Sequence, residues 1–379
     1  TGNLGPHMYA YVMAGGTQVS IVAEQLAATI NQNVTKWHLA PVLSEIEKRV
    51  VKWGAEMMGI PGNVGGVFTS GGSAANLAGL TVARNIFFEK KQIRKQGLFG
   101  QKPFRVYASK EVHGCVDKSL ELLGIGTNHL CKIETNPDFT IHLESLERQI
   151  QSDLASGFQP FCIVGNAGTV NTGAIDDLLA LHDLAKKYDL WFHIDGAYGG
   201  LVAALDTFKN TYKGIELADS LAVDFHKWLY QPFEAGCLIV KDWPTLRRAY
   251  FKQADYLDTS FEKGEGRLDF NEYYFQLSRN AKALKVWMSL KAYGADAMKA
   301  MIQKDIDLAH YLADRVAEAP DFELMARSDL AIACFRYTAE LNLDADIVAL
   351  NARLIPALEE DGRVFITGTR LNEAFVLRA

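Results

Sequence analysis

Thiol chemistry has little to work with in this chain. Its five cysteines, Cys115, Cys131, Cys162, Cys237 and Cys334, are scattered over 379 residues, odd in number and without a CxxC pair, so neither a disulfide framework nor a thiolate metal site is indicated. A reducing cytoplasmic setting is expected. No apolar run is long enough to span a bilayer, and no basic-then-apolar leader opens the chain, so membrane insertion and secretion have no support. The opening Thr1-Gly2-Asn3-Leu4-Gly5-Pro6 reads as a start in mid-protein, and a preceding segment is expected. An excess of basic charge is lacking as well. The formal net charge is -6, and the one basic cluster, Lys90, Lys91, Arg94 and Lys95, reads as a solvated helix face, so nucleic acid is not an expected partner. With only 10 prolines there is no Pro-rich linker. Neither GxGxxG nor GxxxxGK[ST] occurs, which weakens a nucleotide reading.

What remains is an ordinary globular composition, 49% hydrophobic and 22% charged, in a chain long enough for one large domain and a smaller one. Residues 1–60 read as an N-terminal arm, with a helix over Ser44 to Trp53. From 61 to 285 short apolar strands alternate with amphipathic helices. The strands are expected at Gly65 to Thr69, Arg105 to Ala108, Leu130 to Ile133, Phe161 to Gly165, Leu190 to Ile194, Ser220 to Asp224 and Cys237 to Val240. That alternation describes an α/β fold, a mostly parallel sheet covered by helices on both faces. From 286 to 379 a long helix, Ala297 to Ala317, precedes the strands Phe322 to Ala326 and Ala331 to Tyr337. A helix from Ala345 to Glu360 and the strands Val364 to Ile366 and Phe375 to Leu377 follow. The order suggests a small α+β lobe.

Five strand ends carry chemistry. Thr69-Ser70-Gly71-Gly72-Ser73 follows a strand and opens a helix; the glycines admit close approach and the helix N-terminus favours an anion such as phosphate, although Ser73 serves equally well as a plain N-cap. His113, at the next junction, can stack on a planar ligand, although a lone histidine is more often structural. Thr169 lies in a loop of small and hydroxyl residues, equally readable as a ligand contact or an ordinary turn hydroxyl. Trp191-Phe192-His193-Ile194-Asp195-Gly196-Ala197 is an apolar strand that ends on a carboxylate able to hold a proton on a ring nitrogen; His193 reads as a satisfied core histidine. The apolar run Leu221 to Asp224 stops at His226-Lys227-Trp228, and a strand-end lysine held partly away from water is a nucleophile. Taken alone, such a lysine is usually just a snorkelling side chain. A phosphate cradle, a stacking His, a ring-nitrogen Asp and a strand-end Lys, in that order, together describe a site for pyridoxal 5'-phosphate.

The His-Ile-Asp-Gly-Ala-Tyr and Asp-Phe-His-Lys-Trp wording, with Asn31-Gln32-Asn33, Trp37-His38-Leu39-Ala40-Pro41 and Gly368-Thr369-Arg370-Leu371-Asn372, resembles the group II pyridoxal-phosphate-dependent amino-acid decarboxylases. These comprise the aromatic-L-amino-acid, glutamate and diaminobutyrate decarboxylases. The resemblance implies a fold-type-I, aminotransferase-like architecture with a seven-stranded sheet, and a homodimer with active sites at the interface. It implies Lys227 as the lysine covalently joined to the cofactor, Asp195 as partner of the pyridinium nitrogen, and His113 and Ala197 against the two ring faces. Gly72, Ser73 and His226 would hold the phosphate, with Thr169 nearby. Asp224 stands where the aromatic enzymes usually have asparagine facing the phosphate; a carboxylate there is electrostatically awkward and suits orienting His226 or a backbone amide instead. Tyr256 matches a mobile-loop tyrosine that protonates the product carbanion, which favours simple decarboxylation over oxidative aldehyde synthesis. For the substrate, Tyr11 and Trp37 offer aromatic surface, while Asn33 and Thr35, on a wall supplied by the partner, are polar. The balance leans slightly to an aromatic amino acid over glutamate, aspartate or 2,4-diaminobutyrate. A non-decarboxylating lyase or transferase on the same fold is the further alternative.

Overall fold

The structure, a computed structural model, describes residues 5–252, 266–338 and 344–379. Seven strands, β1 (Gly65–Thr69), β2 (Phe104–Ser109), β3 (Leu130–Ile133), β4 (Gln159–Asn166), β5 (Trp191–Gly196), β6 (Ser220–Asp224) and β7 (Gly236–Val240), form one sheet in the order β1-β7-β6-β5-β4-β2-β3. Neighbours from β6 to β3 pair in parallel, and β7 alone runs antiparallel, to both β6 and β1. All seven lie where the apolar runs place them. Strands covered on both faces have no polar side to show, and accordingly β1, β5, β6 and β7 are buried at every position.

Helices Gly72–Phe87, Cys115–Leu122 and Trp243–Tyr250 cover one face, and Pro41–Met57, Leu143–Ala155 and Leu178–Lys187 the other. The two-residue period of a strand decides which side chains meet which helix. On β5, Phe192 and Ile194 join the second core, while Trp191 joins the first and His193 reaches Asn76 on the helix Gly72–Phe87. On β6, Leu221 and Val223 face the second core, which turns Ser220 and Asp224 toward the helix that starts at Gly72. Gly79 makes room on that helix: a Cβ there would lie 2.5 Å from His193 Cε1.

A second, antiparallel sheet has the order β10-β11-β9-β8, with β8 (Phe322–Arg327), β9 (Ala333–Tyr337), β10 (Thr367–Leu371) and β11 (Ala374–Arg378). The helices Ala283–Glu318 and Asp344–Asp361 pack on it around Ala313, Val316, Phe335 and Leu377. Three expectations change. The strand expected at Val364 to Ile366 is absent, and Phe365 makes only a bridge to Met8; the strand is the more polar Thr367–Leu371, set by its hairpin with β11. The long helix begins at Ala283 and breaks direction at Gly294 (φ 79°), which separates a half packed on the N-terminal helices from a half packed on β8 and β9. A helix unread in the sequence, Gln18–Ile30, is capped by Thr17 Oγ1, which accepts from Ser20 N.

Candidate active site

The carboxyl ends of the parallel strands surround a small cavity of about 130 Å³. The β1 junction contributes Gly72, Ser73 and Asn76; the loop after β2, His113 and Cys115; β4 and its loop, Asn166 and Thr169; β5, Asp195 and Ala197; and β6, Asp224 and Lys227. Eight of the positions singled out for chemistry, Gly72, Ser73, His113, Thr169, Asp195, Ala197, Asp224 and Lys227, therefore line one cavity although they come from five separate strand ends; His226 lies next to them and does not line it.

The helix Gly72–Phe87 starts without a side-chain cap, its N-cap position being Gly71. Ser73 is thus not the cap, and it is exposed at the cavity. First-turn N–H groups left without a capping side chain are suited to an anion. Close approach is built in here. A Cβ on Gly72 would stand 2.7 Å from Ala197 Cβ and 2.8 Å from Asp224 Oδ2, and one on Gly236 would stand 2.4 Å from Gly71 Cα. Only glycine leaves the cradle open.

Asp224 is 2% exposed, and its Oδ2 lies 3.4 Å from both His226 Nε2 and Lys227 Nζ. Its Oδ1 has no hydrogen-bond partner among the described residues. Burial pushes the Asp224 carboxyl up, but His226 and Lys227 together outweigh it and hold the carboxyl below its ordinary range. The Nδ1 of His226 accepts from Ala235 N at 3.2 Å, so the hydrogen-bond network assigns the proton to Nε2, facing Asp224. Asp224 thus lies against His226, the neighbour it was expected to orient.

Several polar groups around the base of the cavity are hydrogen-bonded. Asp195 Oδ1 accepts from Ala197 N at 3.1 Å. His193 spans Ser220 Oγ at 2.8 Å and Asn76 Oδ1 at 2.9 Å, and burial pushes its imidazole down to about 4 against the opposing pull of Asp195. It is the core histidine expected of it. His113 is exposed at the mouth, its Nδ1 accepting from Cys115 N. Burial, with Asp195 and then Asp224 facing it, raises the Cys115 thiol well above its ordinary range, which keeps it protonated. Thr169 lines the cavity while its hydroxyl is spent on the turn, accepting from Ala174 N and bonding Thr172 Oγ1.

Lys227 also borders a larger cleft of about 870 Å³, lined by Tyr11, Val12, Met13, Tyr198, Trp228 and apolar residues of the C-terminal sheet and helices. Of the expected substrate contacts, Tyr11 is in this cleft. Asn33, Thr35 and Trp37 are elsewhere in the same chain: Asn33 accepts from Arg279 N, Thr35 is buried, and Trp37 Nε1 donates to Glu45 Oε1. Tyr256 lies outside the described residues. Several site residues went unread. Tyr198 stacks on Trp228 at 5.5 Å and accepts from Ala331 N; its position next to Ala197 was the available signal. Asp176 holds the Asn166 amide and backbone N–H together with Ile141 N. Arg378 is buried and donates to Val170 O, Asn171 O and Tyr11 O, joining the C-terminal sheet to two segments that border the cleft and cavity. Neither lies in a motif.

A mostly parallel sheet with a lysine, a carboxylate and an anion cradle at its carboxyl edge defines a pyridoxal-phosphate enzyme of fold type I. The family model for the pyridoxal-dependent decarboxylase conserved domain matches residues 2–338. An aromatic-L-amino-acid decarboxylase of Bacillus atrophaeus is 35% identical over 98% of this chain and 76% of its own length. Tyrosine decarboxylase 2 of Arabidopsis thaliana is 31% identical over 98% of the chain and 69% of its own. Among solved structures, Oryza sativa TDC with PLP and tryptamine superposes with a TM-score of 0.92 at 26% identity, over 98% of this chain and 78% of that one. The glutamate decarboxylase domain of a Vibrio parahaemolyticus diaminobutyrate-pyruvate transaminase and L-2,4-diaminobutyrate decarboxylase gives 0.87 at 30%, over 99% and 76%. The chain belongs to the pyridoxal-dependent decarboxylase family, and it is a pyridoxal-phosphate-dependent amino-acid carboxy-lyase.

Proposed function

We propose that this enzyme removes the α-carboxylate of an aromatic L-amino acid, giving the amine and carbon dioxide, in the cytoplasm and as a homodimer. The observation that carries the reading is the convergence of Lys227, Asp195 and the uncapped helix start at Gly72 on one cavity that opens beside an aromatic-lined cleft. The donor set fits the cofactor: first-turn N–H groups and His226 for the phosphate, Lys227 for the aldehyde carbon, Asp195 for the ring nitrogen. When bound, the cofactor supplies an electron sink for the pair released as the Cα–carboxylate bond breaks. Asp195 keeps a proton at the ring nitrogen, which demands a carboxylate rather than a neutral group. His113 and Ala197 bound the ring faces, Gly72 and Ser73 bring backbone N–H groups to the phosphate, and Thr169 shapes the adjoining loop. Tyr256 delivers a proton to the substrate Cα. Asn33, Thr35 and Trp37 act from a second copy, completing the wall that begins with Tyr11.

The cleft supports an aromatic side chain because Tyr11, Tyr198 and Trp228 line it and, among its described lining residues, Lys227 is the only cationic side chain, leaving no second cation for an acidic substrate. A second reading, a diamino acid, is favoured by Asp305, whose carboxylate lies in the same cleft bonded to Tyr230. An amine-product assay over Trp, Tyr, Phe, Dopa, Glu, Asp and 2,4-diaminobutyrate with added cofactor separates them. Preference for Glu or Asp overturns the aromatic assignment; full activity in a Lys227→Ala variant overturns the role of the lysine.

A further inference from the structure

The segment between Lys227 and β7 is held from below by a lysine that no motif marks. Lys285, near the start of the helix Ala283–Glu318, is 1% exposed. Lys285 donates to two backbone carbonyls, Glu234 O at 3.1 Å and Pro232 O at 3.2 Å, and forms an ion pair with Glu24 Oε2 at 2.5 Å. The neighbouring Lys282 pairs with Glu234 Oε2 at 3.0 Å, and Ser289, one turn further on, donates to Gln231 Oε1 at 3.2 Å. One helix face therefore grips residues 231–234 at successive points.

What that grip controls is the ring of His226. Ala235, which follows the two captured carbonyls, donates its N–H to His226 Nδ1 and accepts from Phe225 N at 2.8 Å. Phe233, between those carbonyls, lies against the imidazole with ring centroids 4.6 Å apart. We propose that Lys285 is a positioning residue of the cofactor site, fixing the 232–235 backbone so that Ala235 N–H locks His226 in the tautomer whose Nε2–H faces Asp224. Glu24 makes the N-terminal helix part of the device. It is the counter-ion of the buried ammonium, so the helix Gln18–Ile30 is linked through Glu24, Lys285 and Ala235 to His226, Asp224 and Lys227. A merely structural lysine would need no such geometry; any apolar side chain of similar volume would fill its place, and buried pairs are often replaceable in that way without loss of stability.

The inference rests on the reading of His226 as a phosphate holder, and two measurements keep the two apart. Nitrogen-15 spectra of the histidine rings in the cofactor-free protein report the tautomer directly. The wild type is expected to show His226 with an unprotonated Nδ1 and a protonated Nε2. Lys285→Met is expected to mix the tautomers while the signals of His193 stay unchanged. Absorbance titration with pyridoxal 5'-phosphate is expected to show dissociation about tenfold weaker, the loss of one well-placed hydrogen bond. Glu24→Gln, at a half-exposed position, tests the link if Lys285→Met does not fold; it is expected to shift the same His226 signals in the same direction. A folded Lys285→Met or Glu24→Gln protein with His226 signals identical to wild type overturns the proposal. Mixed tautomers with unaltered cofactor affinity uphold the positioning and overturn the phosphate role of His226.

Discussion

His193 makes the enzyme acid-sensitive in a way that can be calculated. Its imidazole is wholly buried between Ser220 and Asn76 and holds a proton only below about 4, against 6.5 for an ordinary histidine. As pH falls through this window the unfolded chain takes up a proton before the folded one, so unfolded molecules bind more protons and stability falls with pH. The contribution is complete above 6.5 and is lost progressively toward 4. Two-state linkage with these two values gives a loss of about 2 kcal/mol between pH 7.5 and 5, and about 3 kcal/mol by pH 4. The perturbation is His193→Gln, which keeps an amide to bond its neighbours and removes the titration. Urea unfolding of the cofactor-free proteins from pH 5 to 7.5 supplies the free energies. The wild-type curve is expected to fall more steeply than the variant's by about 2 kcal/mol over that range, whatever constant offset the substitution adds. Parallel curves would refute the assignment of a neutral, buried imidazole.

Gly72→Ala drives a methyl group into Ala197 and the Asp224 carboxylate; cofactor affinity is expected to drop at least ~10-fold and stability by about 1–3 kcal/mol, read by absorbance titration and urea unfolding. Arg279 donates to Glu47, Phe68 O and Val34 O in a buried cluster, so Arg279→Met strands the Glu47 charge. That variant is expected to lose about 3–5 kcal/mol, and Glu47→Gln added to it should recover part of the loss. Asp224→Asn weakens the bonds to His226 and Lys227, which are stronger for the carboxylate. A deficit of roughly 1.5–3 kcal/mol is expected at pH 7. Because the folded carboxyl titrates below its ordinary 3.8, the deficit persists above that value and closes as pH falls through the folded one, which acid-unfolding curves of the two proteins will show.

The sheet was legible because β1, β5, β6 and β7 are buried on both faces, and continuous apolar runs between glycine-bearing loops leave few alternative readings. The strand-end residues Asp195, Asp224 and Lys227 were legible for the complementary reason: polar groups that interrupt such runs stand out. Elements whose identity depends on tertiary partners were not. Thr367–Leu371 has the text of a loop and becomes a strand only through its tight turn at Asn372 and Glu373, both at positive φ, and its pairing with β11. The helix Gln18–Ile30 leaves Ile21, Val22, Leu26 and Ile30 exposed, so its apolar residues do not fall on one buried stripe. The residues that set the site from behind, Asp176, Lys285 and Arg378, act through backbone carbonyls and N–H groups, which carry no sequence pattern. Asn33, Thr35 and Trp37 line neither the cavity nor the cleft within one chain, so only the resemblance marked them.

The direction of β7 has a further consequence for how this fold can change. In a wholly parallel sheet the chain would leave the carboxyl edge after Lys227, cross the sheet through a connection of a dozen or more residues, and return only at the end of the next strand. Here β7 runs backward, so residues 228–235 never leave the edge, and Gly236 sits at once beside Asp224 and Gly71. Beyond Val240, at the opposite edge, the chain has left the cavity, and a length change there does not act on the lysine and the anion cradle directly. Between Lys227 and Gly236 each added or deleted residue would move the lysine against the anion cradle, which leaves this short return little room to change length.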